Sequence, residues 1–218
     1  PGRNGQHGPS IQVLSQEVRT LDGQNRLALI EVTGPGQSPK YFLRQLNERP
    51  LQITSIGGAG GDGGNAGNGG RGGNGGDGKY GGGSGGRGGN GGNGGNGSNG
   101  GNGGKVLVLV STPDMETAFI PLSQGGEGGK GGDGGVGGKG GAAGSILAAQ
   151  PEASGQNSNS AQQVPLAATG SEGSSGANGA YGVPGNRGDD GSVEIRVDQK
   201  AGDVIRRAPK SLVENVLY

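Results

Sequence analysis

Glycine returns at every third position along four stretches of this chain, and the four are nearly equal in length. Run one, Gly57–Gly78, reads GGA GGD GGN AGN GGR GGN GGD G. Run two, Gly83–Gly104, reads GSGG RGG NGG NGG NGS NGG NGG. Run three, Gly125–Gly144, reads GGE GGK GGD GGV GGK GGA AG, and run four, Gly170–Gly191, reads GSE GSS GAN GAY GVP GNR GDD G. A flexible linker has no reason to keep a triplet phase or a constant length. A helix with three residues per turn has reason for both. The polyproline-II conformation is such a helix: left-handed, rising about 3.1 Å per residue, without internal hydrogen bonds. Residues i and i+3 then share an edge. Glycine on that edge lets a neighbouring backbone approach closely and lets the backbone N–H and C=O groups pair between runs.

Composition rules out the ordinary alternative of a large oily core. Only 27% of the 218 residues are apolar and 59 are glycine, a composition that by itself reads as low-complexity or disordered chain. A lone run gains nothing on ordering, because glycine loses the most backbone entropy. Order therefore requires the runs to pack on one another. A collagen triple helix would need proline at its outer positions, and Pro184 is the one proline in the four runs. The 18 basic and 18 acidic residues balance, so charge makes no case for nucleic acid or an anionic membrane surface. Without cysteine neither a disulfide framework nor a thiolate metal site can form. No apolar stretch reads as a membrane span or signal peptide. The opening PGRNGQHG stands in mid-pattern, as expected of a fragment whose targeting signals lie elsewhere.

Between the runs the pattern switches to strands. Ser10–Val18, Arg26–Val32, Lys40–Arg44 and Pro50–Ile56 alternate or cluster apolar residues, with LDGQN and GPGQSP as turns. Lys105–Val110, the segment TAFIPL and Ser192–Val197 continue the set. The triplet phase slips at Lys79–Tyr80–Gly81–Gly82–Gly83, which reads as a turn. The N-terminal triplets (Gly2, Gly5, Gly8), run two and run four each lead into a strand, whereas runs one and three each follow one. The runs thus alternate in direction. Residues 1–200 read as one glycine-rich bundle with a β base (β parts 10–56, 105–122 and 192–198), and 201–218 as a tail or linker with spacing for a short helix. The fold class expected is mainly irregular and β: an antiparallel bundle of left-handed polyglycine-II helices on a small antiparallel β-sheet, with little or no α-helix. Runs one to three, mostly G-G-X with two bare edges, should lie inside. Run four, G-X-Y, should lie at the rim. Asparagines and charges at the X positions read as solvating groups.

This triplet pattern resembles that of the polyglycine-II and polyproline-II helix-bundle proteins. The glycine-rich N-terminal domain of Obg GTPases is similar, as are the glycine-helix adhesins of phage tail fibres and the springtail antifreeze proteins. The antifreeze likeness implies a flat, threonine-bearing face, and no run here contains threonine. The adhesin likeness implies binding at a loop-bearing end, here Lys79, Tyr80, Ser145, Ile146 and Leu147. The Obg likeness implies an accessory domain of a larger enzyme.

Other motifs are weaker. Gly73–Tyr80 follows a phosphate-binding loop for seven positions, but Tyr80 replaces the required Ser or Thr. GGAGGD and GGKGGD, ending at Asp62 and Asp133, match the start of a calcium-binding nonapeptide; Gly64 and Gly135 stand where that repeat needs a large apolar residue. Calcium at Asp62 and Asp133 is set against plain solvated carboxylates. His7 has no accompanying nucleophile motif, and Asp189–Asp190 reads as a turn pair with Arg187 nearby. Val136 is a large apolar residue in an outward slot.

The reading is a non-enzymatic structural or binding module with no cofactor. Its glycine scaffold presents loops for attachment or assembly, outside the cell or on a cell or virion surface. Its partners would be a protein or cell-surface glycan, with self-association through strand edges. The alternatives are the accessory domain and the calcium-binding repeat.

Overall fold

The computed structural model describes residues 2–147 and 168–217. Strand and irregular chain dominate, and helix makes up 10%. The chain divides into two compact units. The sheet unit comprises Gly2–Asp62, Gly97–Gly129 and Pro184–Tyr218; the glycine unit comprises Gly63–Asn96 and Lys130–Val183.

In the sheet unit, β1 (Ile11–Thr20), β2 (Arg26–Thr33) and β3 (Lys40–Gln45) form an antiparallel meander. Its second turn places Pro35 and Gly36 in the middle, with Gly36 at φ +66° and the Gln37 N–H donating to the Gly34 C=O at 3.2 Å. That conformation needs glycine after proline. β5 (Val106–Val110) and β7 (Val193–Val197) complete the sheet in the order β3-β2-β1-β5-β7. β4 (Leu51–Ile56) and β6 (Phe119–Gln124) form a second, two-stranded sheet.

The base is mixed, not antiparallel as expected. β1 pairs parallel with β5, β5 with β7, and β4 with β6. Chain direction is the physical reason. The N-terminal triplets, run two and run four each lead directly into a strand, and the three strands start level: Ile11 faces Val106, which faces Val193. Runs one and three each follow a strand, and those strands, β4 and β6, end level at Ile56 and Gln124. Parallel pairing needs long crossovers, and the glycine runs provide them.

Alternation along the strands divides the core. Val13, Ile30, Val106, Val108 and Val110 pack with Ile53, Met115 and Phe119 on one face. Leu14, Val18, Leu27, Leu29 and Leu109 pack on the other against Ala201, Val204, Ile205 and Val216. Those last four come from the segment read as tail or linker. There, 3-10 helix Gln199–Asp203 leads into α1 (Val204–Arg207), α2 (Lys210–Val213) and β8 (Val216–Leu217), which pairs with β1. Arg207 Nε donates to the buried Glu31 carboxylate at 2.8 Å.

In the glycine unit the runs carry no helix or strand. Their order comes from backbone bonds that recur every third residue. Run one travels with run three: the N–H groups of Gly63, Ala66, Gly69, Gly72 and Gly75 donate to Lys130, Asp133, Val136, Lys139 and Ala142. Run two opposes run one, Gly83, Gly86, Gly89, Gly92 and Gly95 donating to Gly76, Gly73, Gly70, Gly67 and Gly64 at 2.7–3.0 Å. Run three opposes run two, and run four opposes run three, through bonds such as Gly138 to Gly89 and Gly176 to Gly138, both 2.8 Å. Run two also travels with run four, Gly91 donating to Ala177 at 2.9 Å.

Runs two and three each touch three others in this unit. Run one touches two, as run four does. Among the described residues its second bare edge (Gly64, Gly67, Gly70, Gly73, Gly76) meets nothing within 4 Å of an added Cβ. The expectation that run one lies inside therefore fails here. Two glycines per triplet permit neighbours on two sides but do not supply them.

Candidate functional site

The packed edges show why glycine is needed. A Cβ added at Gly131 would lie 1.9 Å from the Gly182 C=O oxygen, and one at Gly91 would lie 1.9 Å from that of Gly135. Such distances put a carbon inside a carbonyl oxygen, so a neighbouring backbone must move. The non-glycine residues on these edges are small. Ala66 carries a methyl 3.3 Å from where a Gly92 Cβ would stand. Buried Ser98, in the sheet unit, donates its hydroxyl to the Gly2 C=O.

The X positions do more than solvate. In parallel neighbours, an asparagine side chain accepts the N–H that the glycine ladder leaves over. Asn65 Oδ1 accepts from Asp133 N–H and Asn68 Oδ1 from Val136 N–H, each at 2.9 Å. Asn74 serves Ala142 at 3.2 Å and Asp77 serves Ser145 at 2.7 Å. Asn90, Asn93 and Asn96 do the same for Ala177, Ala180 and Val183 at 2.9–3.0 Å. In the sheet unit Asn99 and Asn102 serve Asn186 and Asp189. His7 takes the same role, its Nδ1 accepting from Asn102 N–H at 2.9 Å, beside Asn4, which serves Asn99. A short side chain ending in an acceptor fits this geometry, although Arg71 and Arg87 stand at equivalent positions without that role. The repeated asparagine was the available signal, and sequence reasoning missed its role.

The candidate binding residues come together in the glycine unit. Gly78 bridges Ile146 in parallel; its N–H donates to the Ser145 C=O and its C=O accepts from Leu147 N–H, both at 3.1 Å. Lys79 and Tyr80 bend the chain, as the phase slip implies. The Lys79 ammonium stands 5.8 Å from the Tyr80 ring centroid. Tyr80 is 81% exposed and Leu147 54%. The exposed Tyr80 ring and the Lys79 ammonium beside it have the chemistry to stack on a planar or sugar ring and to pair with an anion. Most of the polar segment 145–169 lies outside the described residues.

The candidate calcium residues fall in different units, Asp62 in the sheet unit and Asp133 in the glycine unit. Among the described residues no group of three or more His, Asp or Glu side chains could hold a metal. Asp190 behaves as a structural acceptor: Oδ1 takes the Gly125 N–H at 2.9 Å and an Arg187 N–H at 2.6 Å. The Gly125 bond first, then Arg187, holds its carboxyl below the usual range. No helix among the described residues is long and apolar enough to cross a membrane.

No protein-family model matches the chain, and no curated protein matches it.

Proposed function

We propose that the chain is a non-enzymatic structural and binding module. Its four runs form left-handed helices of three residues per turn, and the glycine unit they build holds a small recognition surface at Lys79–Tyr80 and Ser145–Leu147. The observation carrying this is the lockstep of the backbone bonds. Donors at 63, 66, 69, 72 and 75 meet acceptors at 130, 133, 136, 139 and 142. That spacing is met when both chains complete one turn every three residues, as polyproline-II does. A scaffold tied at every third residue gives little conformational freedom to the turn it carries. Binding at that turn then costs less ordering entropy. The ligand class that fits is a protein or cell-surface glycan met outside the cell.

Circular dichroism and amide exchange test the scaffold. A polyproline-II band that melts cooperatively, with protected amides at the donor glycines, is expected. Non-cooperative behaviour with fast exchange throughout refutes it. A glycan and cell-surface binding screen comparing the chain with Tyr80→Ala tests the recognition surface. Loss of binding with unchanged melting supports it, and equal binding by both refutes it.

A further inference from the structure

The larger sheet of the sheet unit ends at β3 on one side and at β7 on the other. Run four leads into β7 and the 3-10 helix Gln199–Asp203 follows it, so described chain continues from both of its ends. The backbone groups of β7 divide by alternation. Val106 N–H donates to the Ser192 C=O at 2.8 Å, and Asp198 N–H donates to the Val110 C=O at 3.0 Å. Residues 192, 194, 196 and 198 therefore turn toward β5, and Val193, Ile195 and Val197 turn their N–H and C=O groups away from it. Among the described residues no further strand pairs with that side. Val193 is 49% exposed and Val197 43%.

The sequence of this strand is complementary to itself. It reads V-E-I-R-V, and turning it end for end returns the same residues with Glu194 and Arg196 exchanged. Two such strands laid antiparallel about Ile195 set Val193 against Val197, Ile195 against Ile195 and Glu194 against Arg196. The outward residues 193, 195 and 197 then form the hydrogen-bonded pairs. Glu194 and Arg196 fall at the other pairs, where Cα atoms stand about 4.5 Å apart and opposite charges stabilise. In the single chain Arg196 Nη1 lies 2.8 Å from Glu194 Oε1, and a second strand extends that pair to four charges of alternating sign. The opposite edge lacks this property. β3 reads KYFLRQ; its charges, Lys40 and Arg44, are both cations, and such an edge repels a copy of itself.

We propose that β7 is a self-pairing edge, through which two copies of this chain join as antiparallel strands about a twofold axis at Ile195. The larger sheet then continues from one copy into the other. The apolar row Val193, Ile195 and Val197 of each copy runs on into that of its partner, covering side chains that the single chain leaves exposed. This pairing is independent of the three-residue-per-turn reading and of the Tyr80 surface, so it can fail while both hold.

Sedimentation of the full chain at concentrations up to about 1 mM, beside amide exchange, tests it. The parent should pass from one copy to two as concentration rises, with exchange at Val193, Ile195 and Val197 slowing at least about tenfold. Glu194→Arg and Arg196→Glu should each stay single, because each sets like charges against one another across the axis. Mixed in equal amounts, those two variants should pair together. The double variant Glu194→Arg, Arg196→Glu should pair with itself as the parent does and keep the parent melting curve. If a single substitution unfolds the chain, the double variant carries the test: self-pairing supports the proposal and a single copy overturns it. A parent that stays single throughout the range, single variants that pair as the parent does, or a mixture of folded variants that stays single also overturns it. So does association that protects Tyr41, Leu43 and Gln45 of β3 instead, which would make the opposite edge the interface.

Discussion

The sheet unit and the glycine unit are ordered by opposite means. Every buried hydrophobic side chain among the described residues, from Val13 to Val216, belongs to the sheet unit. Among the described residues the glycine unit buries none; Tyr80, Val136, Leu147, Tyr181 and Val183 are exposed and Ile146 is half-buried. One unit removes apolar surface from water. The other pairs backbone groups at a density that only side chains of near-zero size permit. In the first, a deleted atom does harm by leaving a hole. In the second, an added atom does harm by occupying space that a carbonyl oxygen already holds.

The largest expected effect sharpens that contrast. Gly131→Val should destabilise the glycine unit by at least about 4 kcal/mol, read as loss of its cooperative transition. Gly70→Val, on the open edge of the same kind of run, should leave melting within about 0.5 kcal/mol. Equal effects of the two would break the comparison. Next, Leu29→Ala should cost about 3 kcal/mol by cavity formation. That loss should appear in denaturant melts as lowered protection of β1 and β5 amides. Smaller again, Asn93→Ala should cost about 1 kcal/mol, the worth of one hydrogen bond, with faster exchange at Ala180. Asn93→Asp should keep most of that, since Asp77 already fills the same role.

The smallest effect is in pH. The Arg26 hydrogen bond, ahead of opposing burial, holds the Glu17 carboxyl below its ordinary value. A group with a lowered folded pKa contributes stability above its unfolded pKa and loses it as pH falls through the folded one. The pair is part-exposed, with Arg26 Nε 2.7 Å from Glu17 Oε1, so the acid loss should be below about 1 kcal/mol. Glu17→Gln should abolish this increment. An undiminished pH dependence in that variant would remove the pair from the sheet unit's account.

Much of this was legible from phase. The slip at Lys79–Gly83 marked a bend, and the apolar alternation of Ser10–Val18 and Arg26–Val32 marked strands that form. Other features were hidden for physical reasons. The three like-directed junctions already implied parallel pairing of β1, β5 and β7, but short turns such as Leu21–Asn25 suggest antiparallel neighbours and belong to the meander alone. Asn93 looks like any polar surface residue, because its role depends on a partner 87 positions away, Ala180. G-G-X spelling records that run one can be approached at Gly64 and Gly70; it does not record that nothing among the described residues approaches. The proximity of Ile146 to Gly78 left no periodic trace either, since it begins where run three ends.

The asparagine ladder also governs how this molecule ages. Asn-Gly steps are chemically fragile, because the glycine nitrogen can attack the preceding side-chain carbonyl and close a succinimide. Here the attacking nitrogen is engaged: Gly91 N–H is bonded to Ala177, Gly94 to Ala180 and Gly100 to Asn186. The side chain under attack is held as well, by Ala177, Ala180 and Asn186 N–H. The pairing that orders the chain thus restrains its decay. A frayed stretch loses both protections at once. Reopening of the ring to the iso-aspartyl form inserts an extra backbone carbon, and a strand counted in threes cannot absorb it.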